Sequence, residues 1–221
     1  SAFAVVEDTV LRMASTTVDV ATVVTPADVD ALMARGFKKV VFLPNAPASA
    51  QRPPFAEVRL LGGPVRLVAI GSIFEGRGYE ILIRALAILV RSGRIGVADL
   101  SVSCPGPGRD DYIASLRALA QSEGVETMIA FPGPIPASEV GPTYLGAHVG
   151  LALYEPADPG NDSLSNKVLE CVSVGRPVLA GDLSQNRAFV TSRGVGWLCI
   201  VTPDGVADGL MHVLRVREEK I

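Results

Sequence analysis

The segment Val65-Arg66-Leu67-Val68-Ala69-Ile70-Gly71-Ser72-Ile73-Phe74-Glu75-Gly76-Arg77-Gly78-Tyr79-Glu80-Ile81-Leu82-Ile83-Arg84-Ala85-Leu86 decides the fold. It opens with a nearly continuous apolar run, turns at a stretch holding Gly71, Gly76 and Gly78, and resumes with apolar residues at helical spacing through Val90. A strand without polar alternation is buried on both faces, and a helix that follows it through a short glycine turn begins a strand–helix–strand unit. The same alternation continues toward the C-terminus. Further strands are expected at Leu100–Cys104, Thr127–Phe131, Val149–Leu153, Val178–Ala180 and Trp197–Val201, with helices at Asp110–Ser122, near Ala137–Leu145, from Ser165-Asn166-Lys167 onward, and from about Asp204 to Arg217. This pattern predicts an α/β fold, a doubly wound parallel sheet covered by helices on both faces.

The first 45 residues read differently. A helix (Glu7–Met13), a strand (Asp19–Val24), a second helix (Ala27–Arg35) and a strand (Lys39–Leu43) supply two strands, too few for an independent layered core. Residues 1–45 are therefore expected to be the remnant of another domain, residues 46–63, rich in Pro and Ala, a linker, and residues 64–221 the main domain.

Composition excludes several function classes. A net charge of −3 with scattered Lys and Arg lacks the basic face that nucleic acid requires, and 5% aromatics is poor for base stacking. Arg84 and Arg91 interrupt the greasiest segment, so no apolar run reaches membrane-spanning length, and Ser1-Ala2-Phe3 carries no basic signal-peptide region. Cys104, Cys171 and Cys199 sit at unrelated spacings and read as reduced core residues of a cytoplasmic protein. His148 and His212 are far apart and lack ligand neighbours, which argues against a metal site.

In open parallel sheets, ligands sit beyond the carboxyl ends of the strands. The chemistry-bearing residues collect there: Gly71–Gly78, Pro105-Gly106-Pro107-Gly108-Arg109, the long loop Tyr154–Ser163 that feeds Ser165-Asn166-Lys167, and Gly181–Asn186. Helix N-termini present unpaired N–H groups and partial positive charge, which suit phosphate, and Arg77 and Lys167 add full charge. Glu170, inside an otherwise apolar helix, is placed to accept hydrogen bonds from a ribose diol. The plain alternative is that Asn166, Glu170 and Ser173 form the polar stripe of any amphipathic helix, and that the glycines only close turns. Neither a Walker loop nor the G-x-G-x-x-G dinucleotide spacing is present. The chemistry that fits the loops together is a nucleoside diphosphate lying across the sheet edge.

Three ordered motifs carry a family resemblance. Gly71–Leu86 resembles the Gly-Arg-Leu…Lys-Gly…Leu-Ile-x-Ala-Leu opening of the C-terminal domain in retaining GT-B glycosyltransferases of family four, the "group 1" enzymes. Phe131-Pro132-Gly133 is similar to their Phe-x-Gly turn, and Asp162…Glu170…Gly175-Arg176-Pro177-Val178 to their Glu-x7-Glu motif with its trailing Gly-x-Pro-Val. Val40-Val41-Phe42-Leu43-Pro44-Asn45 is similar to the strand and Pro-Asn that end the acceptor domain. The resemblance implies transfer of a sugar, a hexose by expectation, from a UDP- or GDP-linked donor to an acceptor with retention, with no metal or other cofactor. It implies that Glu170 binds the donor ribose, that Asp162 contacts the donor sugar at the reacting carbon, and that Arg77 binds the diphosphate. Gly71 and Ser72 would border the diphosphate, backbone N–H groups around Ser165, Asn166 and Lys167 would cap it, and Ile135 would lie against the base. The expected partners are the nucleotide sugar and a missing N-terminal acceptor domain, through which the protein would touch the inner membrane surface peripherally; without that domain the chain is expected to be inactive.

The sequence also departs from the family pattern. Ser72 stands where most members carry an Arg, Asp162 replaces Glu, Asn45-Ala46-Pro47 replaces Asn-Gly, and His148, read as structural, occupies a position commonly held by Asp. Ser72 and Asp162 invite an alternative, a catalytically dead relative that serves as a nucleotide-binding or regulatory module. A GT-B sugar-nucleotide epimerase is a third reading.

Overall fold

The structure is a computed structural model that describes residues 2–46, 63–156 and 164–218. The chain divides into two compact units, Ser1–Ala46 and Pro47–Ile221. The expected linker, residues 46–63, lies almost wholly outside the described residues.

The first unit comprises α1 (Ala2–Ser15), β1 (Ala21–Val23), α2 (Pro26–Ala34) and β2 (Val40–Phe42), with β1 and β2 parallel. Thr25 begins α2: its hydroxyl oxygen accepts from the Asp28 N–H at 3.3 Å, and Pro26 supplies a fixed φ in the first turn. Arg35 ties α2 to α1 through Asp8 at 2.9 Å. The helix expected at Glu7–Met13 extends at both ends, and both strands are shorter than the sequence suggests.

The second unit is built on six parallel strands: β3 (Val65–Val68), β4 (Leu100–Ser103), β5 (Ile129–Ala130), β6 (Val149–Ala152), β7 (Val178–Gly181) and β8 (Gly196–Cys199). They lie in the order β5-β4-β3-β6-β7-β8, so the winding direction reverses between β3 and β6. Successive residues of β3 point to opposite faces, as the strand period demands. Leu67 enters a core with α3 (Tyr79–Arg91), α4 (Asp110–Ser122) and α8 (Pro203–Glu218), whereas Val68 enters one with α5 (Ala137–Leu145), α6 (Asn166–Ser173) and α7 (Ser184–Arg193). The doubly wound sheet expected from the sequence is the one observed.

Two differences are instructive. The strands are shorter than the apolar runs because pairing continues past them as single bonds: Ala69 donates to Ser103 O at 2.9 Å and Gly71 to Pro105 O at 2.9 Å. Gly181 itself ends β7, and helix α7 begins at Ser184, inside the stretch Gly181–Asn186 that the sequence suggests is loop. Its residues are largely polar, so no apolar period announces it, and Gly194 in the left-handed region ends it.

Close backbone approach fixes the helices that reach the upper sheet edge. Gly150 in β6 has no Cβ to meet Cys171 Sγ, which would lie 2.5 Å from one, so α6 sits directly against the strand. Gly78, at φ +75, opens α3 where a Cβ would come within 2.1 Å of Leu153 O. All three cysteines are buried free thiols, as expected of core residues.

Candidate functional site

The site is assembled where the winding reverses, from the loop after β3, the end of β6 and the start of α6. Backbone bonds tie the loops together. Glu155 N–H donates to Gly76 O at 3.1 Å, Ile73 N–H to Pro107 O at 2.8 Å, and Gly106 N–H to Gly133 O at 2.9 Å. Gly106 approaches Gly71 so closely that a Cβ there would lie 2.0 Å from Gly71 O.

Gly71 has φ +126 and its N–H is engaged by Pro105, so its contribution is room: a Cβ on it would lie 3.2 Å from Lys167 Cε. Lys167 enters that space from the first turn of α6 and is only 7% exposed. Its ammonium donates to Tyr79 Oη at 3.4 Å and lies 5.4 Å from the ring centroids of both Tyr79 and Tyr154. Burial, with the Arg77 charge adding to it, lowers the ammonium pKa to about 8 against the pull of Cys104 and Glu170.

Arg77 is half-buried, its guanidinium sandwiched between Phe74 at 4.3 Å and Tyr154 at 4.4 Å. Among the described residues neither Arg77 nor Lys167 takes part in an ion pair. Arg109, by contrast, is exposed and engaged by Asp111 at 3.1 Å and Glu75 at 3.8 Å. Ser72 is exposed and its carbonyl accepts from Tyr79 Oη at 3.4 Å. Two cations without carboxylate partners among the described residues lie at one sheet edge, beside the N-terminus of an eight-residue helix, an arrangement whose charge suits an anion.

Ser165 is the N-cap of α6, its hydroxyl oxygen accepting from Lys167 N–H at 3.2 Å, and Asn166 is the exposed first helical residue. That N–H is therefore engaged by the cap. Glu170 lies one turn beyond Lys167 and is half-buried; burial raises its carboxyl pKa and Lys167 opposes the rise. Ile135 is partly buried and packs against the core that contains Val68, Ile70 and Tyr144. The structure thus places Gly71, Arg77, Lys167 and Glu170 around the reversal point, with Ser72, Ser165 and Asn166 at its rim. Asp162 lies outside the described residues. No cluster of metal-binding side chains occurs among the described residues, and no helix among them is long and apolar enough to cross a membrane.

Phe74, Tyr79 and Tyr154 were missed by the sequence reading. The available signal was an aromatic residue placed immediately after the apolar run Val149–Leu153 in a chain poor in aromatics. His148 is buried and its Nδ1 accepts from Arg66 N–H at 2.9 Å, on a contact remote from this edge in register.

Solved structures with this fold include sucrose-phosphate synthase from Thermosynechococcus elongatus, with 17% identity and a TM-score of 0.69 over 96% of this chain and 53% of that one. Anabaena HepE in complex with UDP matches with 15% identity and a TM-score of 0.69 over 94% of this chain and 58% of that one. The C-terminal domain of a group 1 glycosyl transferase (LpcC) from Francisella tularensis matches with 16% identity and a TM-score of 0.56, covering 77% of this chain and 85% of that domain. The chain therefore spans little more than half the length of the first two. No curated protein sequence is significantly similar to it. The family model for glycosyl transferases group 1 matches residues 64–215, which hold the whole six-stranded sheet and the candidate site, and the chain belongs to that family.

Proposed function

We propose that residues 64–221 form the donor-binding part of a glycosyltransferase that takes a nucleotide-linked sugar, a UDP- or GDP-linked hexose, and transfers the sugar with retention. The observation that carries this reading is the pair of cations, Arg77 and Lys167, held without carboxylate partners among the described residues at the reversal point of the sheet. A diphosphate brings the two negative charges such a pair lacks, and Glu170, one turn along α6, supplies an acceptor for a ribose diol. One structural neighbour, HepE, was solved with UDP and glucose, which supports a nucleotide and a sugar on this fold.

In the transfer, the bond between the sugar's anomeric carbon and the diphosphate breaks while a bond from an acceptor hydroxyl oxygen forms, and the acceptor's proton is released. Negative charge grows on the departing diphosphate. Arg77, Lys167 and the α6 N-terminus are already oriented toward that charge, so little reorganisation accompanies the step. The family's Arg is replaced here by Ser72, and the buried Lys167 beside Gly71 supplies the compensating charge; Arg109, engaged by two carboxylates, does not. Asp162 is assigned to the donor sugar. Residues 1–45 are read as part of the acceptor domain, and acceptor specificity and any peripheral membrane contact are assigned to that domain.

Thermal protection tests the reading. A nucleoside diphosphate present at about 100 times its dissociation constant stabilises a protein by roughly 2.7 kcal/mol. UDP or GDP is expected to raise the melting temperature of the wild type and to leave Glu170→Ala unshifted. Equal protection of the two proteins would remove Glu170 from the ribose site.

A further inference from the structure

The two cations share one ring. Arg77 Cζ lies 4.4 Å from the centroid of Tyr154 and Lys167 Nζ lies 5.4 Å from it. Tyr154 lies two residues beyond β6, and its backbone is fixed on both sides of the reversal point. A Cβ on Gly181 of β7 would lie 3.1 Å from Tyr154 O, and the neighbouring Glu155 N–H reaches across to Gly76 in the loop after β3.

An aromatic ring attracts a cation through its quadrupole and carries no net charge. A carboxylate in the same position would hold the cations more strongly, but it would neutralise them and compete with any anionic ligand. The ring holds both and leaves their charge unspent. Each cation also has a second ring, Phe74 for Arg77 and Tyr79 for Lys167, so Tyr154 is the element common to both. The repulsion between them is visible in Lys167, whose pKa the Arg77 charge helps to lower. Among the described residues, the other ionisable groups acting on that ammonium are Cys104, just after β4, and Glu170, on α6. Neither is in an ion pair with it.

We propose that Tyr154 is a positioning residue for the diphosphate: its ring holds Arg77 and Lys167 together without itself neutralising either, so that their charge is left to the ligand's diphosphate. The inference rests on the nucleoside-diphosphate reading of the site. It differs from a base-stacking role, in which the ring would contact the ligand itself.

Titration calorimetry of the chain with UDP, GDP and inorganic pyrophosphate separates these roles, because pyrophosphate has no base to stack. Tyr154→Phe keeps the ring and should bind the preferred nucleotide and pyrophosphate within about twofold of wild type. Tyr154→Leu removes it and should weaken both ligands by the same factor, about tenfold. Should the leucine variant fail to fold, as judged by circular dichroism, Tyr154→Gln at this half-exposed position is read in the same way. Unchanged affinities in the ringless variant overturn the inference alone. A loss for the nucleotide with none for pyrophosphate also overturns it, in favour of base stacking. Wild type that binds none of the three ligands overturns the underlying reading together with this one.

Discussion

Lys167 shows at the scale of one residue how burial becomes a measurable property. Its side chain is placed by the absence of a Cβ on Gly71 and by two tyrosines, and its ammonium pKa falls to about 8 from an ordinary 10.5 because burial disfavours the charge. Below about pH 8 the residue is protonated in both folded and unfolded chains, and the full penalty of a buried charge is present. Above it the folded chain releases the proton first, the unfolded chain binds more protons, and stability rises with pH. Between about pH 8 and 9 the wild type is expected to gain on the order of 1 kcal/mol over Lys167→Met, measured by urea unfolding. The buried thiols of Cys104, Cys171 and Cys199, each raised to about 12 chiefly by burial, pull the other way above pH 9; those of Cys171 and Cys199 do so equally in both proteins, whereas Cys104, which Lys167 lowers, rises further in Lys167→Met, so the comparison is read below pH 9. Diphosphate affinity should run opposite to stability, falling as pH rises and the ammonium is lost. A difference between the two proteins that stays flat over this window would contradict the buried-cation account. Much of this was legible in the sequence: Gly71, Arg77, Lys167 and Glu170 stood out by type and position. The tyrosines did not, because an aromatic residue at a strand end reads as core until its neighbours in space are known.

At the scale of the element, two glycines in one loop separate conformational need from close approach. Gly76 and Gly78 both adopt positive φ, +80 and +75, yet a Cβ on Gly76 meets nothing within 4 Å whereas one on Gly78 collides with Leu153 O. Gly76→Ala should therefore cost about 1 kcal/mol, the conformational term alone. Gly78→Ala adds a backbone clash at the junction of α3 and β6 and should cost about 3 kcal/mol or more, again read by urea unfolding. Equal costs would show that α3 can shift away from β6. The elements themselves were read well where periodicity was strong, as in α3 with Leu82, Ile83, Leu86 and Leu89 fully buried. α7 carries no apolar period because its surface is nearly all polar, and β5 is shorter than its apolar run because this edge strand has one neighbour to pair with.

For the whole molecule, the strand order β5-β4-β3-β6-β7-β8 is what brings the parts of the site together. Gly71 and Lys167 are separated by most of the second unit in sequence, yet they meet because β3 and β6 are neighbours and the chain leaves them in opposite directions. A parallel sheet was evident from the unbroken apolar strands, since only burial on both faces permits them. The order of those strands depends on long-range pairing, which no local pattern encodes, so the meeting of the two cations on Tyr154 became visible only in three dimensions. The first unit leaves Val5, Val6, Val10 and Met13 exposed on α1 and holds two three-residue strands.

The central claim is that this sheet edge binds a nucleoside diphosphate through two cations at one end and Glu170 at the other. Calorimetric titration of UDP, GDP and ADP, each beside its parent nucleoside, tests it most directly. The account predicts micromolar binding of one diphosphate, at least about 100-fold weaker binding of its nucleoside, and loss of the diphosphate signal in Glu170→Ala. Absence of binding by all three diphosphates, or a nucleoside that binds as tightly as its diphosphate, would contradict it.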